Sequence, residues 1–88
     1  MKVFLQGSEM TSKPALHAQL KQQLSFPDHY GENLDAFWYC IRCVDTPLTV
    51  VWQDFARSQA RLGHYADQLR ELLHAAEAEV PGFIFEIR

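Results

Sequence analysis

The run LTVVW, Leu48–Trp52, constrains the fold more than any other stretch of this chain. Its β-branched residues favour a strand, and apolar side chains on both faces suit a covered strand with parallel neighbours. Two further strand-like segments lie towards the ends of the chain. In Lys2–Gln6, Val3 and Leu5 alternate with Phe4 before Gly7 interrupts the run. In FIFEI, Phe83, Phe85 and Ile87 fall on one face. The sequence between these segments reads as helical, and strands joined by helical crossovers lie parallel, with right-handed connections.

Each crossover holds two helical segments. Ser12 is placed to cap a helix with Pro14 in its first turn and Leu16, Leu20 and Leu24 one turn apart. Phe26-Pro27 ends it, because a residue before proline avoids the helical region. Asn33 then caps a second helix, expected from Leu34 to about Val44, with Asp35 complementing the dipole of the first turn. After Pro47 and the LTVVW strand, Asp54 is placed to cap a short helix running to Arg61 and closed by Gly63. Tyr65, Leu69, Leu72, Leu73, Ala76 and Val80 form the apolar stripe of a longer helix, which Pro81-Gly82 stops. The order strand-helix-helix-strand-helix-helix-strand predicts a single small α/β domain over residues 1–88.

Composition narrows the functional classes. A chain with 48% hydrophobic and 22% charged residues is expected to fold. Two cysteines are too few for a disulfide scaffold, and the apolar run near Met1 is too short for a signal peptide or membrane span. A soluble, cytoplasmic protein with no membrane contact is therefore expected. The net charge of −3 argues against direct nucleic-acid binding. Its whole excess falls within residues 28–45, where Asp28, Glu32, Asp35 and Asp45 face one base, Arg42. Such an asymmetry steers a basic partner.

That acidic stretch contains HYGENLDAFWYC, His29–Cys40. Advancing about 100° per residue from Leu34 puts Phe37, Cys40, Ile41 and Val44 with it on the core side. Asp35, Tyr39, Arg42 and Cys43 fall on the opposite side, with Trp38 on the border. Tyr, Trp and Arg are the types enriched at the energetic centres of protein interfaces. The loop His29, Tyr30, Gly31 is expected to stand beside this ridge, whereas Glu71 is placed on the outer face of the last helix, away from it.

YGENLDAFW resembles the signature of the barstar family, small intracellular inhibitors of secreted guanyl-specific ribonucleases. The likeness extends through LHAQLKQQLSFPDHYGENLDAFWYC, PLTVVWQDF and AEAEV to the last strand, and so over nearly the whole chain. It implies a three-stranded parallel sheet packed with helices. It also implies that the second helix and its preceding loop plug a ribonuclease active site, with carboxylates taking the place of RNA phosphates. The partner is then a secreted or toxin ribonuclease, and the free chain is expected to be monomeric. The partner-binding set carried over is His29, Tyr30, Gly31, Asn33, Asp35, Trp38, Tyr39, Arg42, Cys43 and Glu79. Five positions depart from the pattern. Tyr39 stands where the family has its other acid on this helix, His29 replaces a loop tyrosine, Arg42 and Cys43 replace small residues, and Ala75 falls where an acid is expected. An adaptor or immunity protein for a different partner is the alternative.

Other chemistries find little support. In the motif CIRC the thiols lie in the second half of a helix, where the dipole does not lower a thiol pKa as it does at a helix N-terminus. Cys40 is expected to face the core and Cys43 the solvent. His17, His29, His64 and His74 lack the paired spacing of a metal site. His17 is placed at the core margin, and Glu77 and Glu79 point different ways. No catalytic residue, metal or cofactor is assigned.

Overall fold

The computed structural model describes all 88 residues. Three parallel strands, β1 (Lys2–Gln6), β2 (Leu48–Gln53) and β3 (Phe83–Ile87), form one sheet in the order β1-β2-β3. The LTVVW run is thus the central strand, paired along both edges, with Leu48, Val50, Val51 and Trp52 all buried. Val50 lies between Val3 and Phe85, and Trp52 between Leu5 and Ile87. This face carries the core, joined by Leu16, Leu20, Phe37, Ile41, Leu69 and Leu73 from the helices. Ile87 departs from the expected pattern. At the end of an edge strand it remains 38% exposed, while Phe83 and Phe85 are buried.

The crossovers are α1 (Lys13–Leu24) and α2 (Leu34–Ile41), then α3 (Phe55–Leu62) and α4 (His64–Glu79). The expected caps hold at two helices: Ser12 Oγ accepts the Ala15 N–H at 3.2 Å, and Asn33 Oδ1 accepts the Ala36 N–H at 2.8 Å. Asp54 behaves differently. It adopts a left-handed conformation (φ 53°) and its side chain makes no capping bond. Its backbone carbonyl receives the N–H groups of Arg57 and Ser58 instead. α2 ends at Ile41, short of the expected Val44, because the chain must turn before Pro47 to enter β2. No helix is long and apolar enough to cross a membrane.

Both open edges of the sheet are capped by helix side chains. The Gln19 carboxamide accepts the Gln6 N–H at 2.8 Å and donates to its carbonyl at 2.9 Å. On the far edge the Glu77 carboxylate accepts the Phe85 N–H at 2.9 Å. Exposed edges are templates for strand pairing, and these bonds remove part of each template.

His17 lies fully inside rather than at the core margin. Its Nδ1 is 2.7 Å from the Tyr30 hydroxyl and its Nε2 2.6 Å from the Tyr65 hydroxyl. A neutral imidazole donates from one nitrogen and accepts at the other, so it satisfies one tyrosine in each sense. α1, the loop before α2 and the start of α4 therefore meet on one ring.

This arrangement predicts acid sensitivity. Burial holds the His17 pKa below 6.5, against a smaller opposing pull from the Glu32 charge. As pH falls through 6.5 the unfolded chain takes up the proton first. The contribution of His17 is therefore fully present above 6.5 and is lost as pH falls through the lower folded value. In His17→Gln, the unfolding midpoint measured in urea should depend less on pH in that window. At neutral pH the variant should be less stable by about 1–3 kcal/mol, since a buried hydroxyl loses its partner.

Candidate functional site

The loop preceding α2 is built around Tyr30. Its N–H donates to Pro27 O at 2.9 Å, and its ring packs on Phe26 with centroids 4.9 Å apart. With its hydroxyl on His17, only 6% of the residue is exposed, and burial drives the phenol pKa well upward. The expectation that Tyr30 presents itself to a partner is thus corrected: it anchors the loop from within, while its neighbours His29 and Gly31 are exposed. The Asn33 side chain is likewise occupied, since besides capping α2 it donates to Gly31 O at 3.2 Å. Tyr30 holds the loop in place from within, and Asn33, itself exposed, joins the loop to the helix.

α2 divides as its periodicity predicts. Phe37 and Ile41 are fully buried, Leu34 and Cys40 half-buried, and Asp35 and Tyr39 face solvent. Tyr39 projects furthest, at 73% exposed. Trp38 is half-buried at the border, as expected. Beyond the end of the helix, Arg42 closes over it, its guanidinium carbon 5.5 Å from the indole centroid. Arg42 Nε also lies 3.3 Å from Glu79 Oε2. The arginine thus ties the end of α2 to the end of α4, and Glu79 offsets part of its charge. Glu77, two residues earlier, points away to β3, so the two carboxylates are separate as expected. Asp35 takes part in none of the chain's ion pairs.

Two clefts flank this ridge. One, of about 540 Å³, is lined by Tyr39, Arg42, Cys43, Glu79, Val80 and Pro81. The other, of about 350 Å³, is lined by Leu34, Asp35, Trp38, Gln68, Glu71 and Leu72. Glu71 therefore borders the same groove as Asp35, contrary to its placement away from the ridge. Reading α4 by its own periodicity shows only that Glu71 is outward. That α2 lies along that outward flank is a tertiary fact with no local signal. Gln68, Val80 and Pro81 were missed for the same reason. Ala75 is exposed on α4 and brings no carboxylate.

The surface is suited to recognition: an unpaired acid, a half-buried indole and a projecting phenol sit between apolar-floored clefts. Cys40 and Cys43 are free, the first half-buried with its thiol pKa raised by burial and then by Cys43, the second exposed. No three potential metal ligands come together.

Comparison with known proteins agrees with this geometry. The profile of the family described as Barstar (barnase inhibitor) matches residues 1–87. A protein of Bacillus subtilis (strain 168), named "Putative ribonuclease inhibitor YrdF", is 42% identical over 80 residues, covering 90% of this chain and 88% of its own length.

The double role of the Asn33 side chain gives a direct test. Asn33→Ala should lower stability by about 1 kcal/mol, and Asn33→Asp, which keeps the capping oxygen, by much less. Chemical unfolding of the two variants beside the parent measures this difference.

Proposed function

The chain belongs to the barstar family, whose members are inhibitors rather than enzymes, and from that premise we propose that it inhibits a ribonuclease by laying α2 and the preceding loop across the active site. One observation carries the reading: Asp35, without an ion pair of its own, stands on the exposed ridge beside Trp38 and Tyr39. A ribonuclease binds phosphates with cationic side chains, and a fixed carboxylate occupies such a site in their place. Local negative charge around α2 speeds the encounter. The contact set is His29, Gly31, Asp35, Trp38, Tyr39, Arg42, Cys43 and Glu79, with Glu71 added from α4. Tyr30 supports it from behind, and the exposed Asn33 belongs to the same surface. The target is a secreted or toxin ribonuclease, and the free inhibitor is a monomer.

Tyr39 sets which enzyme is recognised. A phenol cannot form an ion pair with a phosphate-binding arginine, but it stacks on one or fills an apolar pocket. Its ring supplies contact area for little lost side-chain entropy. Arg42, moreover, places a cation where a guanyl-specific enzyme is itself cationic, only partly offset by Glu79. The preferred partner therefore presents a less cationic face. The same exposed phenol favours a second reading, in which the chain binds a protein of another class.

Asp35→Ala should weaken partner binding by more than about 2 kcal/mol, the hot-spot range, with little change in stability. Glu9→Ala is the matching control, being an exposed acid in the 3-10 turn that packs against α3. Equal, small losses in titration calorimetry would remove Asp35 from the interface.

Tyr39→Asp should weaken binding to the natural target and strengthen binding to a guanyl-specific ribonuclease. Arg42→Thr should shift binding in the same direction by removing a like charge. Affinities for both enzymes at low and high salt decide the matter. Tight inhibition of the guanyl-specific enzyme by the parent, unchanged in Tyr39→Asp, would refute this specificity, and failure to bind any ribonuclease would favour the second reading.

A further inference from the structure

The thiol chemistry of the CIRC motif takes no part in inhibition as proposed, yet its two cysteines occupy an unusual place. α2 stops at Ile41, and the Cys43 N–H then donates to Cys40 O at 3.0 Å. This bond closes a four-residue turn over Ile41 and Arg42, and Arg42 has φ −76° and ψ −9°. The ends of such a turn lie within about 7 Å, overlapping the Cα separations of about 4.4–6.8 Å that a disulfide spans. Cys43 stands past the last regular helical residue, so the helical ladder does not fix its position. Both thiols border one cleft of about 240 Å³, with Tyr39 and Phe26 in its wall.

We propose that Cys40 and Cys43 form a reversible intramolecular disulfide by exchange with a small oxidised thiol such as oxidised glutathione, and that this bond resets the Arg42 end of α2. The exposed Cys43 thiolate attacks one sulfur of the small disulfide. An S–S bond forms to the protein, the reagent's S–S bond breaks, and one small thiolate leaves. Cys40, after losing its proton, attacks Cys43 Sγ and expels the second small thiolate. The protein dithiol has lost two electrons and two protons, and the reagent has become two thiols. Burial raises the Cys40 pKa and so lowers its thiolate fraction, which proximity offsets in this second, intramolecular step.

The ring so closed contains Ile41 and Arg42, which differ in their freedom to move. Ile41 is fully buried in the core, whereas the Arg42 side chain is 53% exposed. Its contacts to Trp38 and Glu79 are of the weak, solvated kind. Drawing Cys43 towards Cys40 therefore displaces Arg42, uncovers Trp38 and parts α2 from Glu79. The effect on partner binding rests on α2 being the inhibitory surface, but the disulfide does not.

The folded protein is incubated with oxidised glutathione, and thiols, intact mass and tryptophan emission are followed. Both thiols should disappear with the loss of two hydrogens and no retained glutathione. In Cys43→Ser, Cys40 should stay reduced far longer. Emission should shift on oxidation and return with dithiothreitol. The shift should be absent in Trp38→Phe, whose remaining Trp52 is fully buried. The oxidised inhibitor should bind its ribonuclease about tenfold more weakly, a change of about 1.4 kcal/mol. A stable glutathione adduct with the other thiol free, or a disulfide between two chains, would overturn the proposal. A disulfide that leaves the emission unchanged would overturn its link to Arg42. If the reduced protein binds no ribonuclease, the functional reading fails, while the thiol and emission readouts still decide the disulfide.

Discussion

Two tyrosine hydroxyls meet on the buried His17 imidazole, and the position of the proposed recognition surface depends on that junction. Tyr30 belongs to the loop that introduces α2, Tyr65 to the first turn of α4, and His17 to α1. Three segments far apart in sequence are thereby held at hydrogen-bond precision. In the low-dielectric interior each bond is stronger than in water, and each is costly to leave unmade. Apolar contacts alone fix the mean packing of these segments, but they are non-directional. A junction with two defined ring nitrogens also sets the orientation of the loop.

The ridge on α2 follows from that placement. Its inner side is committed to the core through Phe37 and Ile41, so its outer side has no freedom to rotate inward. Asp35, Trp38 and Tyr39 are therefore presented in a fixed relation, and little ordering is left to be done on binding. The far end is different. Arg42 and Cys43 lie beyond the regular helix and are held by solvated contacts, so adjustment is concentrated there. In the proposed interface, a fixed acidic centre beside a basic rim held by solvated contacts supplies both a common recognition element and a variable one.

The sheet shows a similar economy. With three strands there are two open edges for one protected strand, and Gln19 and Glu77 each satisfy backbone groups that would otherwise pair with another chain. Of the apolar strand residues that remain exposed, Ile87 ends its edge strand, while Phe4 and Ile84 lie on the sheet face away from the core. They are separated there by Val51, which is itself fully buried.

Much of this was written in local sequence. Alternation in KVFLQ and FIFEI, β-branching in LTVVW, and the caps at Ser12 and Asn33 act over a few residues, so the element order could be read directly. The outward side of α2 was legible for the same reason, since a helix has one period. The helical crossovers implied parallel strands, and the resemblance to the barstar family added the role proposed for the helix. Other features depended on which elements become neighbours. Tyr30 resembled a loop residue open to a partner until His17 and Phe26 claimed it from inside. Glu71 resembled a remote surface acid until α4 was laid beside Asp35. Arg42 became half of an ion pair only because α2 and α4 end together, and Asp54 lost its capping role to a left-handed backbone. Local chemistry determines periodicity, caps and turns, because their energies are set within one or two turns of chain. Contacts between helices are settled only by the global packing of the core, which no single segment encodes.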